Sequence, residues 1–256
     1  MNAPPLRVVA LVSIGRHPVS GRPRRSPLDA RAVEMGLRLA GKDLLLLHAG
    51  DPDSTMLREY LGMGASAVEV LRTTPEQDVV PALAVRLQAL KPQLVLTGLH
   101  AEGGEDSGLV PYMLAQNLAV PVITNAADLS VSDGHARVLQ ALPRGRRREL
   151  EVLLPCIVAF GNSAPAPRAS AYGPARRAAI VCVESSAATD ERLANWQESP
   201  ARARPKCLRI AGTGRASDRL AAATAVSSAG GTVLHPETPQ QSARAILDFL
   251  KQVGVR

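Results

Sequence analysis

Aromatic side chains are almost absent: two Phe, three Tyr and one Trp make up 2% of the 256 residues. Proteins that grip single strands or RNA stack bases on several exposed rings, so that class of function is excluded, and no nucleic-acid partner is expected. Cysteine is scarce too. Cys156, Cys182 and Cys207 are odd in number, far apart and outside any CxxC spacing. That argues against a disulfide framework or a thiolate zinc site and suits a reducing cytoplasm. The five histidines show no HxH or HExxH spacing, so no metal site is expected. No apolar run approaches the roughly 20 residues of a membrane span, and the opening residues lack the basic-then-apolar order of a signal peptide. A GxSxG elbow and a paired general acid and base are missing as well. The chain reads as a binder more readily than as a catalyst.

What is present is an aliphatic core. Apolar residues make up 46%, mostly Leu, Val, Ile and Ala, enough to fill one large domain or one domain with an appendage. Thirty Lys and Arg against 23 Asp and Glu give a net charge of +7. The cations cluster at Arg22, Arg24 and Arg25, at Arg144 and Arg146 to Arg148, at Arg176 and Arg177, and at Arg202, Arg204 and Lys206. Every cluster adjoins Pro or Gly, which places it in turns rather than along one helix face. Solvated loop charge is the simplest reading, and an acidic protein partner or a phosphate is the alternative.

Strand and helix signals alternate through the first 125 residues or so. Strands are expected at Leu6–Ile14, Leu44–Leu47, Ala67–Leu71, Leu94–Thr97 and Val120–Ile123. Between them fall helices that open at Ser26-Pro27, run over Met56–Met63 and Val79–Leu90, and pass through Leu114–Leu118. This alternation means βαβ units and a parallel sheet. Ala127–Val131, Ala136–Leu142, Leu150–Leu154 and Cys156–Phe160 then read as successive antiparallel hairpin strands. Residues 162–180 have no periodicity and read as a linker or extended loop, and a second basic linker spans Ser199–Lys206. Beyond it a strand at Leu208–Ala211, a helix near Ala216–Ala225, a strand at Thr232–Leu234 and a helix over Gln240–Val253 form a small tail. The expected division is an α/β domain over 1–161, a loop and linker region over 162–205, and a tail over 206–256.

The stretch from Thr97 to Gly108 is the most informative. It joins a parallel strand to a helix, where open α/β sheets bind ligands. Glycines let backbone approach a ligand, and a following helix N-terminus offers free amides to a phosphate. Against this, Glu102, Glu105 and Asp106 repel phosphate unless ribose hydroxyls or a cation engage them. No Gly-Lys-Ser/Thr follows, so the loop is not a Walker A motif. Its Gly103 to Ser107 run echoes the phosphate loop of ATP-pyrophosphatases, displaced to the wrong strand. His48 and His100 sit at strand ends, each either ligand-facing or merely exposed. Cys156 and Cys182 lie in apolar runs and read as inert small hydrophobes.

Taken together, the segments resemble the electron transfer flavoprotein beta subunit family. Pro27-Leu28-Asp29 with Ala32-Val33-Glu34 resembles its "NPFDxxAVEE" phrase, Leu57-Arg58 to Ala65 its "LRxALAMGA", and Lys91 to Gly98 its "KPDLVLLG". Asp106-Ser107-Gly108 with Met113-Leu114-Ala115 and Val120-Pro121 follows in order, then Leu154 to Val158, then Ala166-Pro167-Arg168 in the place of "NEPR". Ser242 to Val255 resembles the closing helix. The resemblance implies a Rossmann-like fold with added antiparallel strands. It implies a heterodimer with an alpha subunit that holds most of an FAD, AMP in the α/β domain of many members, and electrons taken from a dehydrogenase donor. The nucleotide-contacting positions it carries over are Ser26, Pro27, Leu28, Asp29, His48, Gly98, Ala101, Gly103, Gly104, Asp106, Ser107, Gly108 and Leu109. Arg168 and Tyr172 are the implied partner-contact residues, and the tail over 206–256 would embrace the alpha subunit. The chain departs from the pattern at Ser26 for Asn, Leu28 for an aromatic, Leu109 for Gln, Ala166 for Glu, and in a shortened arm at Gly15 to Ser20. A donor other than the usual acyl-CoA dehydrogenases is implied, with methylated-amine oxidation one setting. A stand-alone adenine-nucleotide enzyme and a cofactor-free assembly subunit are the alternatives.

Overall fold

The computed structural model describes residues 6–104, 106–185, 187–191, 195–197, 199, 215–217, 220 and 238–252. Two compact units divide the chain, Met1–Gln197 and Glu198–Arg256. The strand expected at Leu208–Ala211, most of the helix near Ala216–Ala225, the strand at Thr232–Leu234 and nearly all of the Ser199–Lys206 linker lie outside the described residues.

The first unit is built on a nine-stranded sheet in the order β11-β5-β4-β1-β6-β10-β7-β8-β9. In chain order the strands are β1 (Val8–Leu11), β4 (Leu45–Gly50), β5 (Ala67–Arg72), β6 (Leu94–Gly98), β7 (Val122–Ser132), β8 (His135–Ala141), β9 (Arg147–Leu153), β10 (Cys156–Phe160) and β11 (Ala179–Glu184). A separate hairpin joins β2 (Ile14–Arg16) to β3 (Pro23–Arg25). From β11 to β7 every pairing is parallel, and β7-β8-β9 continues as an antiparallel meander. The expected α/β class with a mostly parallel sheet and added antiparallel strands is what forms.

Successive side chains of a strand point to opposite faces, and β1 shows what this does here. Val8, Ala10 and Val12 join one core layer, with Val33 and Leu37 of α1 (Pro27–Ala40) and Tyr60 of α2 (Leu57–Leu61). Val9 and Leu11 join the opposite layer, with Leu83 and Leu87 of α3 (Val79–Leu90) and Leu114 of α4 (Val110–Leu118). Strands covered on both sides must be apolar throughout, and β1, β6 and β10 are buried at every position.

That rule corrects the expected hairpin at Cys156–Phe160. β10 is not antiparallel to β9; it returns to the middle of the sheet and pairs in parallel with both β6 and β7. Cys-Ile-Val-Ala-Phe has no polar face to offer water, whereas β9 alternates Glu149 and Glu151 with partly buried Leu150 and Val152 and stays at the edge. The two strands expected at Val120–Ile123 and Ala127–Val131 are one strand, kinked at Asn125, whose φ is +57°. The Leu6–Ile14 run is broken after Leu11, and the shortened arm becomes the β2–β3 hairpin. Residues 162–180 are not a bare linker: α5 (Tyr172–Arg177) forms there, and β11 pairs along β5. Because β11 is an edge strand, Cys182 is exposed rather than packed in a core.

In the second unit, α6 (Pro239–Gln252) is an amphipathic helix none of whose residues is buried; Ile246, Leu247, Phe249 and Leu250 stand exposed along it.

Candidate functional site

Strands β1, β4 and β6 run parallel, so their carboxyl ends open on one edge of the sheet. There the first turn of α1 crosses the sheet and Asp29 is buried beneath it. Its Oδ2 accepts from the Ser13 amide at 2.8 Å and the Ser13 hydroxyl at 2.5 Å, and its Oδ1 accepts from the Gly98 amide at 3.1 Å. Burial pushes the Asp29 carboxyl up to about 6 even though these donors pull it down. Tyr60, fully buried, accepts from the Ser26 amide at 2.9 Å and donates to the Ser13 carbonyl at 2.7 Å. Burial and the Asp29 charge hold the Tyr60 phenol well above its ordinary value, so it remains a donor. The end of β1, the start of α1 and the end of β6 are thus tied into one polar lock. Its oxygen acceptors are committed inside the protein, which makes Asp29 a builder of the edge. Neither Ser13 nor Tyr60 stood out in the sequence; a tyrosine in so aromatic-poor a chain was the one signal available.

Gly98 is demanded by this packing. A Cβ there would lie 2.4 Å from Asp29 Oδ1 and 2.9 Å from Leu28 Cβ. The glycine admits the helix to the strand end. Pro27 and Leu28 complete the first turn, with Leu28 buried against that contact.

Beyond Gly98 the loop folds back on the β2–β3 hairpin. Arg24 Nε donates to Glu102 Oε2 at 2.9 Å, and a second guanidinium nitrogen meets Oε1 at 2.5 Å. Gly15 lies beneath that carboxylate and Gly103 against the Ile14 carbonyl, each with little room for a Cβ. Asp106, in the left-handed region at φ +49°, bonds His100 Nδ1 at 2.5 Å. Burial alone would lower the His100 pKa; the Asp106 and Ala101 bonds and the Asp106 charge outweigh it, so it rises. Of the three loop carboxylates, Glu102 is therefore ion-paired with Arg24 and Asp106 is bonded to the His100 ring within the protein, and Glu105 lies outside the described residues. An open cavity of about 390 Å³ is lined by Leu99, His100, Asp106, Ser107, Gly108 and Tyr112. Ala101 is half-buried, Gly104 has open space where a Cβ would sit, and Leu109 at the head of α4 is exposed. The serine Oγ of residue 107 accepts from the Leu109 amide at 3.4 Å.

Two polar atoms at this edge are left over. His48 Nδ1 meets the Val12 carbonyl at 2.8 Å and must donate to it, which leaves Nε2 an unprotonated acceptor, buried and without a protein partner. Burial lowers the His48 pKa and keeps the ring neutral. Ser26 takes the N-cap position of α1 as expected, yet its hydroxyl makes no capping bond; Oγ is buried and unpartnered, near enough to the Asp29 carboxylate to hold its pKa down. Cys156, by contrast, is inert: burial pushes its thiol up to about 11.

Arg168 and Tyr172 lie away from this edge. Glu34 of α1 receives the Arg168 amide at 3.1 Å and the Arg168 guanidinium at 2.7 and 3.1 Å, with Arg38 adding a 3.0 Å bond. Burial pushes Glu34 up, but these donors outweigh it and its pKa falls below the ordinary value. Arg168 thereby fastens its segment to α1. The Ala171 amide donates to the Gly62 carbonyl at 2.9 Å, and Gly62 leaves no space beneath Ser170. Arg58 donates to the Ala175 and Ala178 carbonyls at 2.9 and 2.8 Å, closing the C-terminal end of α5. Tyr172 projects from this mount, 76% exposed.

Fold and edge together define a Rossmann-like α/β protein, with its strand-to-helix loops gathered at the carboxyl ends of three parallel strands. Comparison with known proteins narrows this. Residues 22–188 match the model of the electron transfer flavoprotein domain. The chain is 49% identical over 257 aligned residues, 98% of its length and 96% of the relative's, to the electron transfer flavoprotein subunit beta of Chromohalobacter salexigens. It is 31% identical over 159 residues, 58% of its length and 60% of the relative's, to the caffeyl-CoA reductase-Etf complex subunit CarD of Acetobacterium woodii. The chain belongs to the electron transfer flavoprotein family, on the beta-subunit side, and its role is electron transfer as a carrier rather than catalysis of its own. The stand-alone nucleotide enzyme considered from the sequence is thereby set aside. Among the described residues no helix is long and apolar enough to cross a membrane, and no cluster of His, Cys, Asp and Glu could hold a metal ion.

Proposed function

We propose that this chain pairs with an electron transfer flavoprotein alpha subunit in the cytoplasm, shares an FAD held mostly by that subunit, takes electrons from a dehydrogenase and passes them on. The observation that carries the proposal is α6. A helix with Ile246, Leu247, Phe249 and Leu250 all exposed needs an apolar cover, and a companion chain supplies one. The flavin supplies the redox chemistry, taking up and releasing electrons; the protein's part is to bind, orient and exclude water. AMP is the proposed occupant of the edge of β1, β4 and β6. His48 Nε2 is an acceptor for a hydroxyl or amino hydrogen, Ser26 Oγ is a spare hydroxyl, and Gly104 leaves the loop open where backbone could approach a phosphate. The segment carrying Arg168 and Tyr172 is the proposed donor contact; the family's Glu before Pro167 is Ala166 here, which points to a donor other than the usual acyl-CoA dehydrogenases, and a dehydrogenase acting on methylated amines is one such setting.

Co-expression with an alpha subunit tests this. The expected product is a yellow complex that a dehydrogenase bleaches, with FAD and AMP both identified by mass spectrometry after acid release. A colourless complex, or a chain that stays a stable monomer beside the alpha subunit, would refute the proposal. Yellow complex without AMP would keep the electron-transfer role and remove the nucleotide from it.

A further inference from the structure

The sheet ends on one side at β9, and the turn that leads into this strand gathers positive charge. Arg144, Arg146, Arg147 and Arg148 fall within five consecutive positions, and every residue from Pro143 to Glu149 is exposed. The turn is nonetheless built rather than loose. The Leu142 amide donates to the Arg146 carbonyl at 2.9 Å, and β8 and β9 stay in register up to the Ala141–Arg147 pair. The chain reverses through Arg144 at φ +60° and Gly145 at φ +75°, so an arginine occupies a left-handed position that glycine would fill with less strain. Further along the same hairpin the charge is compensated, since Arg137 Nε lies 3.5 Å from Glu151 Oε2. At the turn it is not. None of the four arginines has a carboxylate within salt-bridge distance among the described residues. Arg148 donates to the neutral Gln140 side-chain oxygen at 2.7 and 3.2 Å, and Arg147 to the Arg146 carbonyl at 3.1 Å. Those bonds orient two guanidinium groups and leave their charge whole. Glu149, the next residue of β9, is one counter-charge to four.

We propose that the β8–β9 turn docks the protein on an anionic lipid surface. A protein contact is dominated by an aromatic or apolar anchor buried at its centre. This turn has none, because Pro143 and Gly145 are the only uncharged residues from 143 to 149. A layer of headgroups needs no anchor, only cations within reach of its phosphates. All four cations are arginines, whose planar fork pairs with phosphate oxygens two at a time. Each cation held close to such a surface is worth about fivefold in partition, and the attraction fades within about 10 Å at moderate salt. Docking of this strength is reversible, which suits a carrier that moves between partners. The turn also lies on the opposite edge of the sheet from β11, so this inference is independent of the proposed flavin sharing and donor contact.

The test is co-sedimentation of the intact alpha–beta complex with vesicles of mixed phosphatidylglycerol and phosphatidylcholine, and with vesicles of phosphatidylcholine alone, at low and high salt. Wild type should pellet with the anionic vesicles only and lose that binding as salt rises. The triple variant Arg144→Gln, Arg146→Gln, Arg147→Gln should lower the partition coefficient about a hundredfold; Arg148 is kept because it braces Gln140. Arg137 stands four residues along β8 from Ala141, roughly 13 Å at about 3.3 Å per residue, so Arg137→Gln should change the coefficient less than about twofold. Flavin content and melting temperature should match wild type in both variants. A flavin-free wild-type complex would count against the electron-transfer reading and not against docking. Equal binding to neutral vesicles, or a triple variant that binds like wild type, would overturn the proposal. A loss per removed charge as large in Arg137→Gln as in the triple variant would overturn it too, by assigning binding to net charge. Tighter binding to soluble polyglutamate than to the anionic vesicles would overturn it in favour of an acidic protein, and release by inorganic phosphate at fixed ionic strength in favour of a free phosphate.

Discussion

Asp29 gives the sharpest quantitative expectation. Its carboxyl is pushed up to about 6 from an ordinary 3.8. The folded protein therefore holds that proton more tightly than the unfolded chain does, and stability must fall as pH rises between the two values. Below about pH 3.8 both states carry the proton and nothing is lost; above about pH 6 both are ionised and the loss is complete. A gap of about two pKa units corresponds to about 3 kcal/mol. By linkage, about 1 kcal/mol of that is already gone at about pH 4.5, and about 2 kcal/mol more goes by about pH 7.5. Asp29→Asn removes the titration and keeps the shape. It also sets an amide N–H against a neighbouring donor, either the Gly98 amide or the Ser13 pair, so its absolute stability reflects two opposed effects and decides little. The difference between the proteins is cleaner, because the other groups titrate nearly alike in both; in this pH range only His100 feels the Asp29 charge, as the smallest cause of its own raised pKa. Denaturant unfolding of each, from about pH 4.5 to about pH 7.5, should show the variant gaining about 2 kcal/mol relative to wild type. A difference that stays level with pH would mean that Asp29 is ionised at no cost, and that the buried lock described here is wrong.

The other expectations concern close packing and the loop charges. Gly98→Ala should destabilise the protein by about 1–3 kcal/mol, read as a lowered melting temperature, since a Cβ would collide with the first turn of α1; a wild-type melting curve would refute the contact. Arg24→Ala frees the Glu102 carboxylate at the proposed nucleotide edge and should weaken AMP binding about tenfold in calorimetry on the complex, while Arg24→Ala with Glu102→Ala should recover most of it. If the double variant binds no better than the single one, charge neutralisation is not what the pair provides.

Much of the architecture was legible because it follows from local rules. Continuous apolar runs read as strands covered on both faces, and 3.6-residue stripes such as Val80, Leu83, Ala84 and Leu87 as helices on a core. The same rule, applied more strictly, would have moved Cys156–Phe160 from a hairpin to the centre of the sheet, since it has no polar face while β9 does. The loop over Gly98 to Gly108 was visible as a glycine-rich link after a parallel strand. What its glycines are for was not: Gly98 gives way to a helix and Gly103 to the hairpin.

By itself the sequence determined the period of each segment, the scarcity of rings and thiols, and the strand-to-helix order that places loops on one sheet edge, because these depend only on neighbours along the chain. The tertiary structure alone decided which charges are free. Glu102 meets Arg24 across 78 positions and Glu34 meets Arg168 across 134, and no pattern along the chain encodes pairings of that span. It also decided that Asp29 faces inward while Tyr172 faces out, since burial is a property of what packs above a residue and not of the residue itself.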